Sequence, residues 1–428
     1  MTEGGLNTML GFLPKVVILL LLIVLLGFFN EKITKFPYEI SLMLFSIVIS
    51  MIMLIFDSAL RSTSISELLS NLQVFNLEAL LMEGVLCFML FAGSCHMRLL
   101  DFKKHARPIT MLSVVATLLG AIFYGSLFYA GASLLGLPFS FPVCLMFGSI
   151  TAPTDPIAAT SILKKFNLPK DISFIMEGES LFNDGVGVAL FVCFSGMVTM
   201  QENGSFLAVM GKELFGAVLV GILATAICFP IFALTKDGNR RIFVSLLAVS
   251  MAYVLCEHFG FSGAIASVVC GISFSALCNR REQKGQPLDL EEFDTFWEIL
   301  DNLLNSVLYV IMGLTFVHIL QMPHVLLLSC LAIIFNLIGR FSSVGLAAFF
   351  AGKLPSGYDK LSFVKLLTYG GLRGGLSIAL AMSTREMVSA DTYSIILGST
   401  YAIVFFTTVV QGLTMKQVYQ KIEKGLSK

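Results

Sequence analysis

The chain has 428 residues, 56% of them hydrophobic and only 13% charged, with 28 basic and 28 acidic side chains. Soluble globular domains carry about 25% charged residues, so a soluble fold is excluded, and a net charge of zero gives nucleic acid or any other polyanion no purchase. Nine scattered cysteines, with no CxxC pair and no Cys/His spacing, suggest small apolar fillers and no metal site.

Apolar runs of about 20 residues, enough to cross roughly 30 Å of hydrocarbon, recur throughout. Hydropathy places 13 spans, at 10–29, 38–56, 77–97, 109–135, 141–163, 172–200, 206–234, 241–258, 260–278, 299–320, 323–351, 361–384 and 393–414. The apolar stretch of the first span, Val16 to Phe29, follows Pro14 and Lys15 without a small-residue cleavage site after it, so this span reads as retained and not as a signal peptide. The stretch Glu257-His258-Phe259-Gly260 either separates two spans or bends a single element. The acidic, amphipathic run Leu288 to Phe293, in the longest loop, reads as an interfacial helix. The expected architecture is one all-α polytopic membrane domain over 1–428. Its core bundle takes in roughly 77–200 and 299–414, and a short tail, 415–428, leaves no soluble domain.

The basic residues assign the sides. Loops after odd-numbered spans, with the C-terminus, hold 22 of the 28 Lys and Arg. The opposite side holds 4, Lys15, Arg61, Lys212 and Arg385, while Arg340 and Arg373 fall inside spans. Positive loops stay cytoplasmic, so the C-terminus is expected inside, the N-terminus outside, and the protein in the inner membrane.

Ionisable groups at mid-span cost about 2.5–3.5 kcal/mol on insertion scales and are functional suspects. Span five carries Ala152-Pro153-Thr154-Asp155-Pro156. Proline removes a backbone donor and clashes with the preceding turn, so two of them should break this helix at depth. Span six carries Glu177-Gly178-Glu179-Ser180-Leu181-Phe182-Asn183-Asp184. The spacing puts Ser180, Asn183 and Asp184 on one helix face, an oxygen-rich set that suits a hard monovalent cation. Glu177 reads as a surface cap, but Asp184 lies about two turns deeper. Arg340 lies in mid-span eleven, and Arg373 lies between Gly371 and Gly374 in span twelve, where glycines should interrupt a second helix. Paired interrupted helices in two inverted repeats are a transporter arrangement, with the site between them.

These motifs, in this order and spacing, resemble NhaP/NHE-type monovalent cation/proton antiporters from about span three to the last. The resemblance rests on Ala152 to Pro156, Glu179 to Asp184, Gly339-Arg340 and Gly371-Leu372-Arg373-Gly374. It implies a homodimer in the lipid bilayer, no cofactor, and monovalent cations and protons as cargo. It implies that Asp184 carries cation and proton alternately, with Asn183 standing where electrogenic relatives have a second Asp. It implies Ser180, Thr154 and Asp155 as further cation ligands, Glu179 and Arg340 as a structural pair, and Arg373 as the charge balancing the broken helix of span twelve. Relatives often have Phe-Glu in the third span; here Phe91-Ala92 stands there, and Glu83, nine residues before Ala92, is a possible substitute acid.

The expected activity is electroneutral exchange of one Na+, or Li+, for one H+, both competing for Asp184. Exchange of K+ for H+ by the same fold is the first alternative, and a Na+-coupled organic solute carrier the second. An intramembrane aspartyl protease using Asp155 and Asp184 and an ion channel are weaker readings, and an enzyme is not expected.

Overall fold

A backbone immersed in hydrocarbon must satisfy its own N–H and C=O groups, and for single segments only the helix does so. The computed structural model describes residues 4–60, 85–97, 99–155, 169–199, 206–316, 325–352 and 358–426, and they are almost entirely helical. In chain order the helices are α1 (Gly4–Phe29), α2 (Tyr38–Leu60), α3 (Leu86–Cys95), α4 (Leu99–Thr110), α5 (Thr117–Leu134) and α6 (Phe141–Thr151). There follow α7 (Lys170–Val198), α8 (Phe206–Leu234), α9 (Gly238–Phe259), α10 (Gly263–Gln283) and α11 (Glu291–Thr315). The last are α12 (Val325–Phe350), α13 (Lys360–Gly370), α14 (Gly375–Ser383), α15 (Ala390–Phe405) and α16 (Gly412–Leu426). A π-helical turn, Met111–Ala116, joins α4 to α5 just after Pro108, and another, Phe406–Gln411, joins α15 to α16. Among the described residues, 9 helical runs are long and apolar enough to cross a membrane, and Leu86–Cys95 and Phe141–Thr151 are shorter apolar helices.

Two local expectations resolve. The stretch around Glu257 separates two helices. Gly260, at φ +68°, closes α9 in the left-handed conformation that glycine adopts without strain, and the Ser262 side chain caps α10 by accepting from the Ile265 N–H. The acidic run after Leu288 is not an interfacial helix. Glu291 already begins the 25-residue α11, whose first turn holds Glu291, Glu292 and Asp294, where the positive end of the helix dipole favours carboxylates.

Packing sorts the helices into two bundles. One contains α4–α7 and α12–α16; the other contains α1–α3 and α8–α11. The sole tryptophan, Trp297, locks α11 into the second bundle by packing at a tilt against the Phe91 ring and donating from Nε1 to Ser245 Oγ (3.1 Å). This draws the boundary differently from the expected core of 77–200 and 299–414. The Gly271 backbone of α10 lies close against α3, and Gly313 of α11 lies close against α2, so α3 and α11 side with the second bundle.

The first bundle contains two non-helical stretches. After Thr151 the helix gives way to Ala152–Asp155, and α13 stops at Gly370, with four residues between it and the start of α14 at Gly375. The two non-helical stretches cross, and the Asp155 N–H donates to the Leu372 carbonyl at 2.8 Å in an isolated antiparallel bridge. The remainder of span five, from Pro156, lies outside the described residues.

Candidate functional site

The crossing creates backbone debts that named side chains settle. Beyond Thr151 the carbonyls of Ala152 and Pro153 have lost their helical partners. Arg373 Nη1 donates to both, at 2.7 Å in the case of Pro153, and its Nη2 donates to Asn336 Oδ1 at 3.0 Å. Arg373 was expected to balance its own span, but its guanidinium serves span five. The reason is polarity: a cation is stabilised by the carbonyl end of α6 and repelled by the N-terminal end of α14. The Arg373 backbone is held in turn by the last span, its N–H donating to Thr407 Oγ1 (3.1 Å) and its carbonyl accepting from Thr408 Oγ1 (3.0 Å). Consecutive threonines reach one residue because they sit in the π-helical turn.

Glu179 and Arg340 meet at 2.6 Å, with 2% and 4% of their side chains exposed. Arg340 Nη2 also donates to the Leu367 carbonyl, tying α7 and α12 to α13.

Thr154 is the centre of the polar knot on α7. Asn183 Nδ2 donates to Thr154 Oγ1 at 2.7 Å, Asn183 Oδ1 accepts from the Thr154 N–H at 3.3 Å, and Thr154 and Ser180 hydroxyls lie 3.1 Å apart. Asn183 is fully buried by these contacts and fixes the broken strand of span five to α7. Asp155 Oδ2 accepts from the Tyr309 hydroxyl at 2.7 Å. It also rests against Gly374, where an added Cβ would lie 2.6 Å from that oxygen, so only glycine permits the approach.

Asp184, one turn beyond Ser180, makes no hydrogen bond or ion pair with any described residue. It faces a cavity of about 640 Å3 between the two bundles, which Thr154, Asp155 and Ser180 also line. Seven carboxylates among the described residues surround this space: Asp155, Asp184, Glu177, Glu39, Asp294, Glu298 and Asp301. Among the described residues no Lys or Arg lines it, and His96, 3.5 Å from Asp294, is at its rim. Oxygen donors around a space that no described Lys or Arg lines suit a hard cation. Glu177, expected as a surface cap, lines the cavity.

Sequence reasoning brought Thr154, Asp155, Ser180, Asn183 and Asp184 to one place, and the structure gathers them there. It overlooked Tyr309, Asn336, Thr407, Thr408, Glu39 and the acidic face of α11. A signal for the last existed, because Asp294, Glu298, Asp301 and Asn305 fall at i, i+4, i+7 and i+11. Glu83 lies outside the described residues, while Ala92 lines the cavity.

The comparisons agree with this architecture. The family described as "Sodium/hydrogen exchanger, transmembrane" matches residues 17–421. The Na(+)/H(+) antiporter NhaP of Pseudomonas aeruginosa is 29% identical over 415 residues, 94% of this chain and 95% of that protein. The Na(+)/H(+) antiporter NhaH of Halobacillus dabanensis is 30% identical over 403 residues, 91% of this chain and 93% of that one. The solved structure of the sodium proton antiporter MjNhaP1 from Methanocaldococcus jannaschii at pH 8 has the same fold, with a TM-score of 0.75 at 19% identity, covering 98% of this chain and 100% of that one. With two non-helical stretches crossing beside an acidic cavity, and with a family match running almost end to end, this multi-pass membrane protein belongs to the sodium/hydrogen exchanger family.

Proposed function

We propose that the chain exchanges sodium for protons across the inner membrane, one for one, by competition of the two ions for Asp184. The observation that carries this reading is Asp184 itself: a carboxylate facing an acidic cavity with no hydrogen bond or ion pair among the described residues, while its neighbour Glu179 is paired. Thr154, Ser180 and Asp155 border the same space and would complete an oxygen ligand set. A carboxylate with no fixed cation partner is free to accept either sodium or a proton. Asn183 is neutral and engaged with Thr154, so a single negative charge cycles and exchange is electroneutral.

Glu39, His96 and Asp294 lie at helix ends on the side of the basic loops, with Glu177 about two turns into α7 from that side, so the large cavity faces the cytoplasm. Movement of one bundle against the other along their seam would expose Asp184 to the opposite face. Protons compete with sodium at low pH, and Asp184 lacks a proton to return at high pH, so the rate follows a bell-shaped pH profile. The protein acts as a transporter and not an enzyme, as a homodimer, with no cofactor. The apolar outer faces of α1, α8 and α9, exposed at Val24, Phe215 and Phe243, are covered by lipid and by the second copy.

Exchange of potassium for protons is the second reading. It is favoured by Ala92, which faces the cavity where relatives often supply an acid, leaving one fewer charged oxygen to strip a small cation of water.

Everted vesicles from a host lacking its own antiporters test both. With an acid interior established, sodium, lithium or potassium chloride is added and a fluorescent probe follows the pH gradient. Collapse by sodium or lithium, abolished in Asp184→Asn, is expected. Collapse by potassium alone moves the assignment to the second reading. No response to any cation with the protein inserted rejects both.

A further inference from the structure

The seam between the two bundles holds a second cavity, of about 320 Å3, at the other end of α7. Its walls include Val188 and Val192 of α7, Lys212 and Glu213 of α8, and Glu257 and Phe261 at the α9–α10 turn. Val188 and Val192 stand four and eight residues beyond Asp184, on the same helix face. At 1.5 Å per residue, the Asp184 and Val188 positions are separated along α7 by about 6 Å. The two cavities thus approach within roughly one helical turn of each other. What closes the gap is apolar: Ile265 of α10 packs so tightly on α7 that a Cβ on Gly185 would lie 2.2 Å from its Cγ1.

Glu213 is the unexpected member of this wall. Only 7% of it is exposed, and among the described residues no hydrogen bond or ion pair reaches it. Lys212, next in sequence, is directed onto the Phe261 ring, with Nζ 5.7 Å from its centroid. Glu257 is committed elsewhere, its Oε1 accepting from the Gly263 N–H at 3.1 Å to brace the turn. A nearly buried carboxylate without a partner is expensive and marks an ion pathway more often than a scaffold.

We infer that this second cavity is the outer mouth of the ion path and that Glu213 draws a monovalent cation into it. The inference rests on the antiporter reading and deepens it. Glu213 supplies the negative charge, Lys212 opposes it, and the tight packing of Ile265 against Gly185 is the barrier that must part for an ion to pass between Glu213 and Asp184. The vestibule lies on the face poor in basic loops, opposite the large acidic cavity, so each face has its own carboxylate-lined approach to one carrier residue.

Sidedness tests this. Exchange is measured in right-side-out and in everted vesicles at alkaline pH, where protons compete least, with sodium varied on the exposed face. Glu213→Gln is expected to raise the half-saturating sodium concentration at the outer face about threefold or more, by loss of local cation attraction, and to leave the inner-face value at that of the wild type. Glu213→Asp is expected to restore the outer-face value. Lys212→Gln is expected to shift it the other way, which a packing defect would not do. Equal shifts on both faces, no shift on either, or shifts of the same sign in the two Gln variants would overturn the inference. If Glu213→Gln does not insert, Glu213→Asp and Lys212→Gln decide it: an unchanged outer-face value in Lys212→Gln rejects the vestibule. Absence of exchange in wild-type vesicles of either orientation rejects instead the antiporter reading on which it rests.

Discussion

Two polar regions lie on either side of the helix crossing, and they are built on opposite principles. Around Arg340 and Arg373 the charges are matched: Glu179 pairs with Arg340, and Arg373 is spent on the Ala152 and Pro153 carbonyls and on Asn336. The void left among them is about 10 Å3, room for a single water. Around Asp184 the cavity is about 640 Å3, and its seven carboxylates have no Lys or Arg among the described lining residues. The lesson is that charge inside this membrane protein has two uses. Matched and sealed, it holds non-helical backbone in place; gathered around an open space, it gives the proposed exchange a place for a cation to enter.

The comparison can be broken at several points. The largest effect is expected from Asp184→Asn, which should abolish exchange of every cation while leaving thermal unfolding in detergent unchanged, because the side chain holds nothing together. Glu179→Ala should do the reverse in emphasis. Leaving Arg340 buried without its partner costs about 3–5 kcal/mol, so the unfolding temperature should drop sharply and any loss of flux should follow the loss of folded protein. A variant at Glu179 that is fully stable yet inactive would blur the division drawn above. Tyr309→Phe removes the 2.7 Å hydrogen bond to Asp155. A bond of this charged type contributes about 1.5–3 kcal/mol to stability, so its loss should lower the unfolding temperature, less than Glu179→Ala does, and weaken half-saturation by sodium several-fold. Asp301→Asn should have the smallest effect, about a twofold rise in half-saturating sodium at the cytoplasmic face at low ionic strength. That rise should vanish when inert choline chloride shortens the screening length from about 10 Å at 0.1 M toward 3 Å at 1 M.

Much of this was legible from residue order because membranes penalise polarity so heavily. Thr154, Asp155, Ser180, Asn183 and Asp184 stood out as groups with no reason to be at that depth, and two prolines or a run of glycines marked where the non-helical stretches Ala152–Asp155 and 371–374 lie. The partners of these groups were harder to see. Tyr309, Asn336 and Thr407 look ordinary in apolar helices, and each matters only because another span crosses it. Arg373 was visible, but its target was not, since nothing local indicates that its side chain crosses to the carbonyls of span five. The acidic face of α11 was concealed differently: its periodicity was present, but the stretch just before it had been taken for a surface element. The bundle boundary turned on Trp297 and on close approaches at Gly271 and Gly313, contacts that join distant segments.

The central claim is that sodium and the proton contend for one carboxylate. The most direct test is the half-saturating sodium concentration of the reconstituted protein, measured from pH 6 to pH 9 on the cytoplasmic face. Competition predicts that on the acidic side it rises about tenfold per pH unit, at constant maximal rate, as proton occupancy of a single group must. A half-saturating concentration independent of pH, with protons lowering only the maximal rate, would contradict the account and place proton and sodium on separate groups.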